Sequence, residues 1–322
     1  MATLPTFADV LHAAERLDGY AVKTPLLRSA AIDRIAGCEV HAKAECLQHV
    51  GAFKYRGARN RLAAMGEAER ARGAVAFSSG NHAQGVARAA KELGIDAVIV
   101  MPHDAPRVKV DGVLADGATI VGYHRMTESR ETIADGIAAR DGRTVVPSFD
   151  DPYIIAGQGT VGLEIARSGV AFDAVVVCLG GGGLCAGISL AMQAEQPGAR
   201  IFGAEPVGYN DHQMSLAAGK RVSLTDPPPT LCDAIMTPKP GALTWAINGE
   251  SLSGVFDVTD DDCMRAMALA HEHYGVTLEP GGAAALAAAL SGRLPEDVKR
   301  VAVTLSGGNV DPDVLDRALS MA

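Results

Sequence analysis

The sequence predicts an α/β fold built on parallel sheets covered by helices. Short apolar runs at residues 40–44, 75–78, 97–101, 119–121, 144–146, 175–179, 201–204 and 301–305 alternate with stretches whose apolar residues recur at helical spacing. Such alternation is the signature of strand–helix–strand crossovers, which make neighbouring strands parallel. The run Asp173-Ala174-Val175-Val176-Val177-Cys178-Leu179 is β-branched and uncharged after its first residue, as a strand buried on both faces must be. With 322 residues and 48% hydrophobic content, the chain can bury a large core and has room for two domains.

The elements follow in order. Phe7–Leu17 reads as the first helix. Lys54 then stands in Gly51-Ala52-Phe53-Lys54-Tyr55-Arg56-Gly57-Ala58, between an aromatic ring and small residues. A desolvated amine there has a lowered pKa and offers the free base needed to form a Schiff base. A lone Phe-Lys pair more often marks a solvated lysine at a helix start, so the reading depends on three distant motifs. In the first, strand 74–77 leads into Ser78-Ser79-Gly80-Asn81-His82-Ala83-Gln84-Gly85 and a helix that carries Val86, Ala89, Ala90 and Leu93 on one face and stops at Gly94. Helix capping explains one of Ser and Asn at that start. The remaining row of polar groups suits a substrate carboxylate held on backbone amides.

In the second, the strand at 175–179 runs into Gly180-Gly181-Gly182-Gly183-Leu184 and a helix over 184–195. Unpaired amides and the helix dipole make such a junction an anion site. Four consecutive glycines carry an entropy cost that a plain turn does not require. In the third, Thr304-Leu305-Ser306-Gly307-Gly308-Asn309 delivers a serine to a glycine turn.

Several function classes are excluded. The net charge of −9 is dispersed with no basic block, and aromatic residues make up only 4%, so neither nucleic acid nor an anionic membrane is an expected partner. No 18-residue apolar run predicts a membrane span and no signal peptide precedes the first helix, which points to a cytoplasmic protein. Cys38, Cys46, Cys178, Cys185, Cys232 and Cys263 have no metal-binding spacing and read as reduced, mostly core residues. His271-Glu272-His273 lacks the spacing of a zinc helix and reads as solvated surface. Pro227-Pro228-Pro229 is a stiff loop.

Lys54 in its Gly-Ala-Phe-Lys-Tyr-Arg-Gly-Ala run, the Ser-Ser-Gly-Asn-His loop, the glycines at 180–183 and Ser306-Gly307-Gly308-Asn309 together resemble the signature set of fold-type II pyridoxal-phosphate enzymes. Within that tryptophan synthase β-like group they are similar to the serine/threonine dehydratase and serine racemase family. Thr24-Pro25-Leu26, Lys43-Ala44-Glu45-Cys46-Leu47-Gln48, Ile155-Ala156-Gly157-Gln158-Gly159-Thr160 and Glu279-Pro280-Gly281-Gly282-Ala283 extend the match from about residue 20 to residue 310. The resemblance implies two three-layer αβα domains with mostly parallel sheets and the cofactor, pyridoxal 5'-phosphate, in the cleft between them. The large domain would comprise 1–69 and 149–322, and a small inserted domain 70–148. It further implies a homodimer, and no C-terminal regulatory domain, since the chain ends shortly after Asn309.

The roles come from the same resemblance. Lys54 would carry the cofactor, Phe53 would pack on its ring, and Asn81 would bond the ring's 3-oxygen. Amides of Gly180, Gly181, Gly182, Gly183 and Leu184 would hold the phosphate, and Ser306 would face the ring nitrogen with Glu279 nearby. Amides of Ser78, Ser79, Gly80, Asn81 and His82 would bind the substrate carboxylate. Ser79 would serve as acid or base on the face opposite Lys54. Glu205, the Tyr209 carbonyl and Asp211 sit where racemase-like members bind a cation, and oxygen ligands suit Mg²⁺, Ca²⁺ or a monovalent ion. Without an ion, Glu205 would simply end a strand and Asp211 start a helix. Val50-Gly51-Ala52 stands where relatives usually have Thr-Gly-Ser, so two hydroxyls beside the lysine are missing.

The implied activity is β-elimination: a β-hydroxy amino acid (threonine, serine, or a bulkier or acidic analogue such as phenylserine or 3-hydroxyaspartate) becomes a 2-oxo acid and ammonia. Racemisation at the same site is the alternative. Two rivals lie outside it. Gly181-x-Gly183-x-x-Ala186 with Glu205 about 20 residues on satisfies the loose nicotinamide-dinucleotide fingerprint, and a non-catalytic cofactor-binding protein would keep the same motifs. Purified protein is expected to be yellow, with borohydride fixing the cofactor to Lys54. Colourless protein carrying a nicotinamide nucleotide would favour the dinucleotide reading instead.

Overall fold

Ten strands form two separate sheets in the computed structural model, which describes residues 3–105 and 107–321. The strands are β1 (Leu26–Leu27), β2 (Glu39–Lys43), β3 (Ala74–Phe77), β4 (Ala97–Pro102), β5 (Thr119–Tyr123), β6 (Thr144–Val145), β7 (Ala174–Cys178), β8 (Arg200–Pro206), β9 (Leu252–Val258) and β10 (Arg300–Thr304). One sheet has the order β1-β2-β10-β7-β8-β9, antiparallel only at β1, and the other the all-parallel order β5-β4-β3-β6.

The eight anticipated strands form within a residue or two of their expected limits, because each apolar run can only be buried as a covered strand. The short β1 and the edge strand β9 escaped the sequence reading. β9 contains Ser253, Gly254 and Asp257, has only one neighbour, and shows a register shift against Ile201 and Phe202 in β8. Half-buried edges carry a weaker apolar signal than central strands.

Strand order positions the site. β10, from the end of the chain, lies between β2 and β7, with Val301 opposite both Val40 and Ala174. Its exit into Ser306 therefore lies beside the exit of β7 into the glycine loop. The carboxyl ends of parallel strands are where open α/β sheets leave a crevice for ligands. In the four-stranded sheet, β3 exits into Ser78 in the same manner. The helix after it, Asn81–Leu93, ends on Gly94 in a left-handed conformation as expected, but no Ser or Asn side chain caps its start. Its cap is Gly80, and the Ser78 hydroxyl instead accepts from the Gly80 amide at 3.2 Å.

The larger core is built on β7 and β10, with the alanine-rich helix Pro280–Leu290 buried against them. Among the described residues no helix is long and apolar enough to cross a membrane. All six cysteines are free thiols, four of them buried.

Helices Pro152–Ala166 and Gly183–Glu195 pack closely through glycine. A Cβ on Gly187 would lie 2.4 Å from the Ile155 carbonyl oxygen and 2.5 Å from the Gly159 nitrogen. Gly187→Ala is therefore expected to destabilise the fold by about 1–3 kcal/mol through overpacking, read as a lower Tm. Gly136→Ala, on a helix with open space around it, should instead be neutral or stabilising by up to about 1 kcal/mol.

Candidate active site

Lys54 opens helix Lys54–Ala63, and the residues before it are pinned to the far end of the chain. The Phe53 amide donates to the Ser306 carbonyl at 3.1 Å, and the Gly308 amide to the Gly51 carbonyl at 2.9 Å. Ala52 bridges Gly307 and is fully buried, so a hydroxyl at 52 would need a buried partner. Val50 holds a left-handed φ of 56°.

The Lys54 amine donates to the Ser148 carbonyl at 2.8 Å and lies 5.2 Å from the Phe53 ring centre. Burial lowers its pKa to about 8, against the opposing pull of Cys178 and Glu279. At pH 7 about a tenth of it is free base, against about 0.04% for an ordinary lysine.

The glycines at 180–183 lie in the same cleft as Lys54, a cavity of about 330 Å³. Side chains would destroy their path: a Cβ on Gly181 would lie 2.3 Å from the Phe149 ring, and Gly182 has φ +90° with Asn248 Nδ2 only 2.5 Å from its virtual Cβ. Thr244 Oγ1 donates to the Gly181 carbonyl at 2.6 Å and Asn248 Nδ2 to the Gly182 carbonyl at 3.1 Å. With carbonyls tied back and helix Gly183–Glu195 starting here without a side-chain cap, the amides of residues 180–185 have no acceptor among the described residues.

A polar wall stands near the amine. Asn81 Nδ2 donates to Glu279 Oε1 at 2.5 Å, and Asn81 Oδ1 accepts from Asn309 at 2.8 Å. Glu279 is buried, its Oε2 has no partner, and burial raises its pKa to about 7, with Asp233 adding to the rise. Ser306 Oγ lies 3.2 Å from Cys178 Sγ. Phe53, Ser78, Ser79, Gly80, Asn81 and His82 all line the cleft. The His82 imidazole is engaged elsewhere. It bonds the Val146 carbonyl at 2.9 Å, and burial lowers its pKa to about 3, leaving the backbone amide as the group that loop can offer.

Three cations in the cleft escaped the sequence reading: Lys109, Arg130 and Lys239. Lys109 pairs with Asp233 at 3.0 Å, and Arg130 pairs with its neighbour Glu131 at 2.8 Å and lies 5.6 Å from the Phe77 ring centre. Lys239 has no carboxylate partner among the described residues. None stands in a recognisable motif, so only tertiary proximity reveals them.

A larger groove, about 990 Å³, lies elsewhere, beside Thr24, His41, Lys43, Arg56 and Glu164. Its charges satisfy one another: Lys43 Nζ meets Glu164 at 2.5 Å, and Arg56 meets Glu45 at 2.7 Å and Glu164 at 2.6 Å. The lysine with a lowered pKa and the glycine loop lie in the smaller cleft.

Glu205 near the end of β8 and Asp211 at the start of helix Asp211–Ala218 converge, as both sequence readings allowed, and His212 joins them. Glu205 accepts the amides of His212 at 2.9 Å and Gln213 at 3.1 Å. Fully buried and so engaged, it is in no position to hold a ribose, which removes the dinucleotide reading. Burial works against a charged His212, but hydrogen bonding to Asp211 and Glu205 outweighs it and holds the imidazole at about 9. Tyr209 is buried nearby, its amide donating to the Pro206 carbonyl at 2.8 Å.

A half-buried, low-pKa lysine in one crevice with a glycine anion cradle defines an enzyme that anchors a phosphorylated carbonyl cofactor. Comparison with known proteins makes this specific. The chain belongs to the pyridoxal-phosphate dependent enzyme family, whose model matches residues 17–307. It is 41% identical over 308 residues to L-threo-3-hydroxyaspartate ammonia-lyase of Saccharomyces cerevisiae, covering 96% of this chain and 94% of that protein. It is 40% identical to serine racemase of Schizosaccharomyces pombe, covering 96% and 95%. The crystal structure of serine racemase from Dictyostelium discoideum superposes with a TM-score of 0.90 at 36% identity, covering 95% of this chain and 99% of that one. The residues fit the cofactor: partnerless loop amides suit its phosphate and the Lys54 amine its aldehyde.

Because only the neutral amine is nucleophilic, capture of added pyridoxal phosphate by stripped protein should accelerate as pH rises through about 8 rather than 10.5, the ordinary lysine value. A capture rate followed by absorbance that keeps climbing to pH 10 would contradict the lowered pKa.

Proposed function

We propose that the protein is a pyridoxal-phosphate-dependent ammonia-lyase acting on an acidic β-hydroxy amino acid of the 3-hydroxyaspartate type, releasing a 2-oxo acid and ammonia. The observation that carries the substrate class is the cationic lining of the cleft. Among the described residues Arg130 pairs with one carboxylate, the adjacent half-exposed Glu131, while its guanidinium lies 5.6 Å from the Phe77 ring centre, and Lys239 pairs with none, so both are available to a second substrate carboxylate. The S. cerevisiae relative named for that substrate supports the same reading.

The cofactor, when bound, supplies a conjugated ring that takes up the charge left by breaking a bond at the substrate α-carbon. The rest falls to the chain. The amides of Ser79, Asn81 and His82 would hold the α-carboxylate, those of Ser78 and Gly80 being already bonded to the Val100 carbonyl at 3.1 Å and the Ser78 hydroxyl at 3.2 Å, and Phe53 would pack on the ring. Lys54 would remove the α-proton as a general base, its lowered pKa of about 8 leaving about a tenth of it uncharged at pH 7. Ser306, a neutral hydroxyl lining the cleft, would face the ring nitrogen and leave it largely unprotonated, which would favour prompt loss of the β-hydroxyl. The buried Glu279 holds the Asn81 side chain, which would bond the ring oxygen. Ser79, lining the cleft, is the group for the opposite face and supports racemisation as a second activity.

In this reading residues 70–148 form the small domain and 1–69 with 149–322 the large one, and Lys109 with Asp233 closes the cleft from both sides. Glu205, Asp211 and the Tyr209 carbonyl hold a cation outside the cleft. A homodimer in the cytoplasm completes the proposal: Tyr20, Val22 and Leu47 are exposed, with Val22 tied to Gln48 by bonds of 3.0 and 2.9 Å, and provide an apolar face for a second copy.

The test is ketoacid and ammonia release across β-substituted amino acids in both enantiomers. Arg130→Gln is expected to raise KM for L-threo-3-hydroxyaspartate about 10–100-fold, the worth of one charge-assisted pair, while leaving L-serine nearly unchanged. Equal effects on both substrates would refute the acidic-substrate assignment, and cofactor binding without turnover would support an idle binder.

A further inference from the structure

Cys178 ends β7 and lines the cleft together with Ser306; among the described residues no other cysteine does so. β7 and β10 run parallel with Val176 opposite Val303, so the two strands deliver Cys178 and Ser306 to the same level of the sheet. The Cys178 sulfur lies 3.2 Å from Ser306 Oγ and is the one hydrogen-bond partner of that hydroxyl among the described residues. Its own position is held by its amide, which donates to Thr304 Oγ1 at 3.4 Å.

The count of hydrogens decides which way this contact runs. A serine hydroxyl has one hydrogen and two lone pairs, and a thiol has one hydrogen that it donates weakly. Burial raises the Cys178 pKa and so keeps that hydrogen on the sulfur. If Ser306 gave its hydrogen to the sulfur, it would turn a lone pair to the cleft, and an unprotonated ring nitrogen there would face a second acceptor. With the thiol as donor, one serine lone pair is occupied and the serine hydrogen is left for the cleft.

We infer that Cys178 is a positioning residue for Ser306: its thiol donates to Ser306 Oγ and directs the serine hydrogen at the cofactor's ring nitrogen, which thereby accepts a hydrogen bond without taking up a proton. The inference deepens the reading of Ser306 given above and rests on it. Cys178 acts through the hydroxyl, whose rotation it restricts, and not on the cofactor itself.

The experiment strips the full chain of cofactor and reconstitutes it with pyridoxal phosphate carrying ¹⁵N in the ring. The ¹⁵N chemical shift of that nitrogen reports the hydrogen bond it accepts, a signature that altered stability alone does not move. Ser306→Ala is expected to displace the shift toward that of an unbonded ring nitrogen, and Cys178→Ala to displace it the same way by a smaller amount. Cys178→Ser, which keeps a donor at the position, should restore most of the wild-type value. Cys178→Val, a second donor-free variant that fills the strand position, should behave as Cys178→Ala does. Titration of stripped protein should show cofactor affinity about 2–10-fold weaker in the donor-free variants, the worth of one hydrogen bond, and recovered in Cys178→Ser. A wild-type ¹⁵N shift in the donor-free variants, or an equal displacement in Cys178→Ser, overturns the role of Cys178 and leaves that of Ser306 standing. An unmoved shift in Ser306→Ala overturns both.

Discussion

Burial of the Lys54 amine is the constraint on which the rest of the structure depends. A lysine out of water resists protonation, so its pKa falls to about 8 and its nitrogen is available for bonding at working pH. The surroundings are arranged to keep it so. The backbone at 51–53 is bound to 306–308, Phe53 covers one side of the amine, and the Ser148 carbonyl accepts its proton without contributing a full negative charge. A nearby ionised carboxylate would pull the pKa back up. Glu279, the carboxyl close enough to do so, is itself held near half-protonation by burial.

That burial needs a rigid frame, and a dense ionic network supplies it. Arg56, two residues after Lys54, joins Glu45 beside β2 to Glu164 on helix Pro152–Ala166, and Lys43 joins the same Glu164. Desolvation offsets much of what these pairs contribute to stability, so their value is positional. They fix the start of helix Lys54–Ala63 relative to the large sheet. Glycine plays the complementary part at close approaches. Gly187 lets two helices touch through their backbones, and Gly181 and Gly182 let the phosphate-binding turn pass Phe149 and Asn248.

The cleft also divides its two roles by charge. Its inner wall, with Ser306, Asn81 and a half-protonated Glu279, is close to neutral and suits a ring whose electronics must not be swamped. Elsewhere its lining carries Lys109, Arg130 and Lys239. The Glu205, Asp211 and His212 cluster lies outside the cleft and touches it through His212 and Asn248, against the back of the glycine loop.

Residues whose role is written into a contiguous run were legible beforehand. The valine-rich run before the glycines had to be a buried strand, since that is the structure in which an uncharged β-branched segment satisfies its backbone out of water. Lys54 and the motifs at 78–82, 180–184 and 306–309 stood out because each joins a strand or helix end to small or polar residues in one short stretch. The edge strand β9 and the uncapped start of helix Asn81–Leu93 did not, because half-buried edges and backbone caps leave little trace in side-chain pattern. By itself, then, the sequence determined the layered α/β fold, the lysine and the anion-binding turn, all of which rest on local periodicity and backbone conformation. Tertiary structure alone decided that Lys109, Arg130 and Lys239 share one cleft, that the His82 ring is engaged by the Val146 carbonyl, and that His212 meets Glu205 and Asp211. Those are convergences through space, and the strand order that creates them, with β10 inserted between β2 and β7, is set by packing rather than by neighbouring residues.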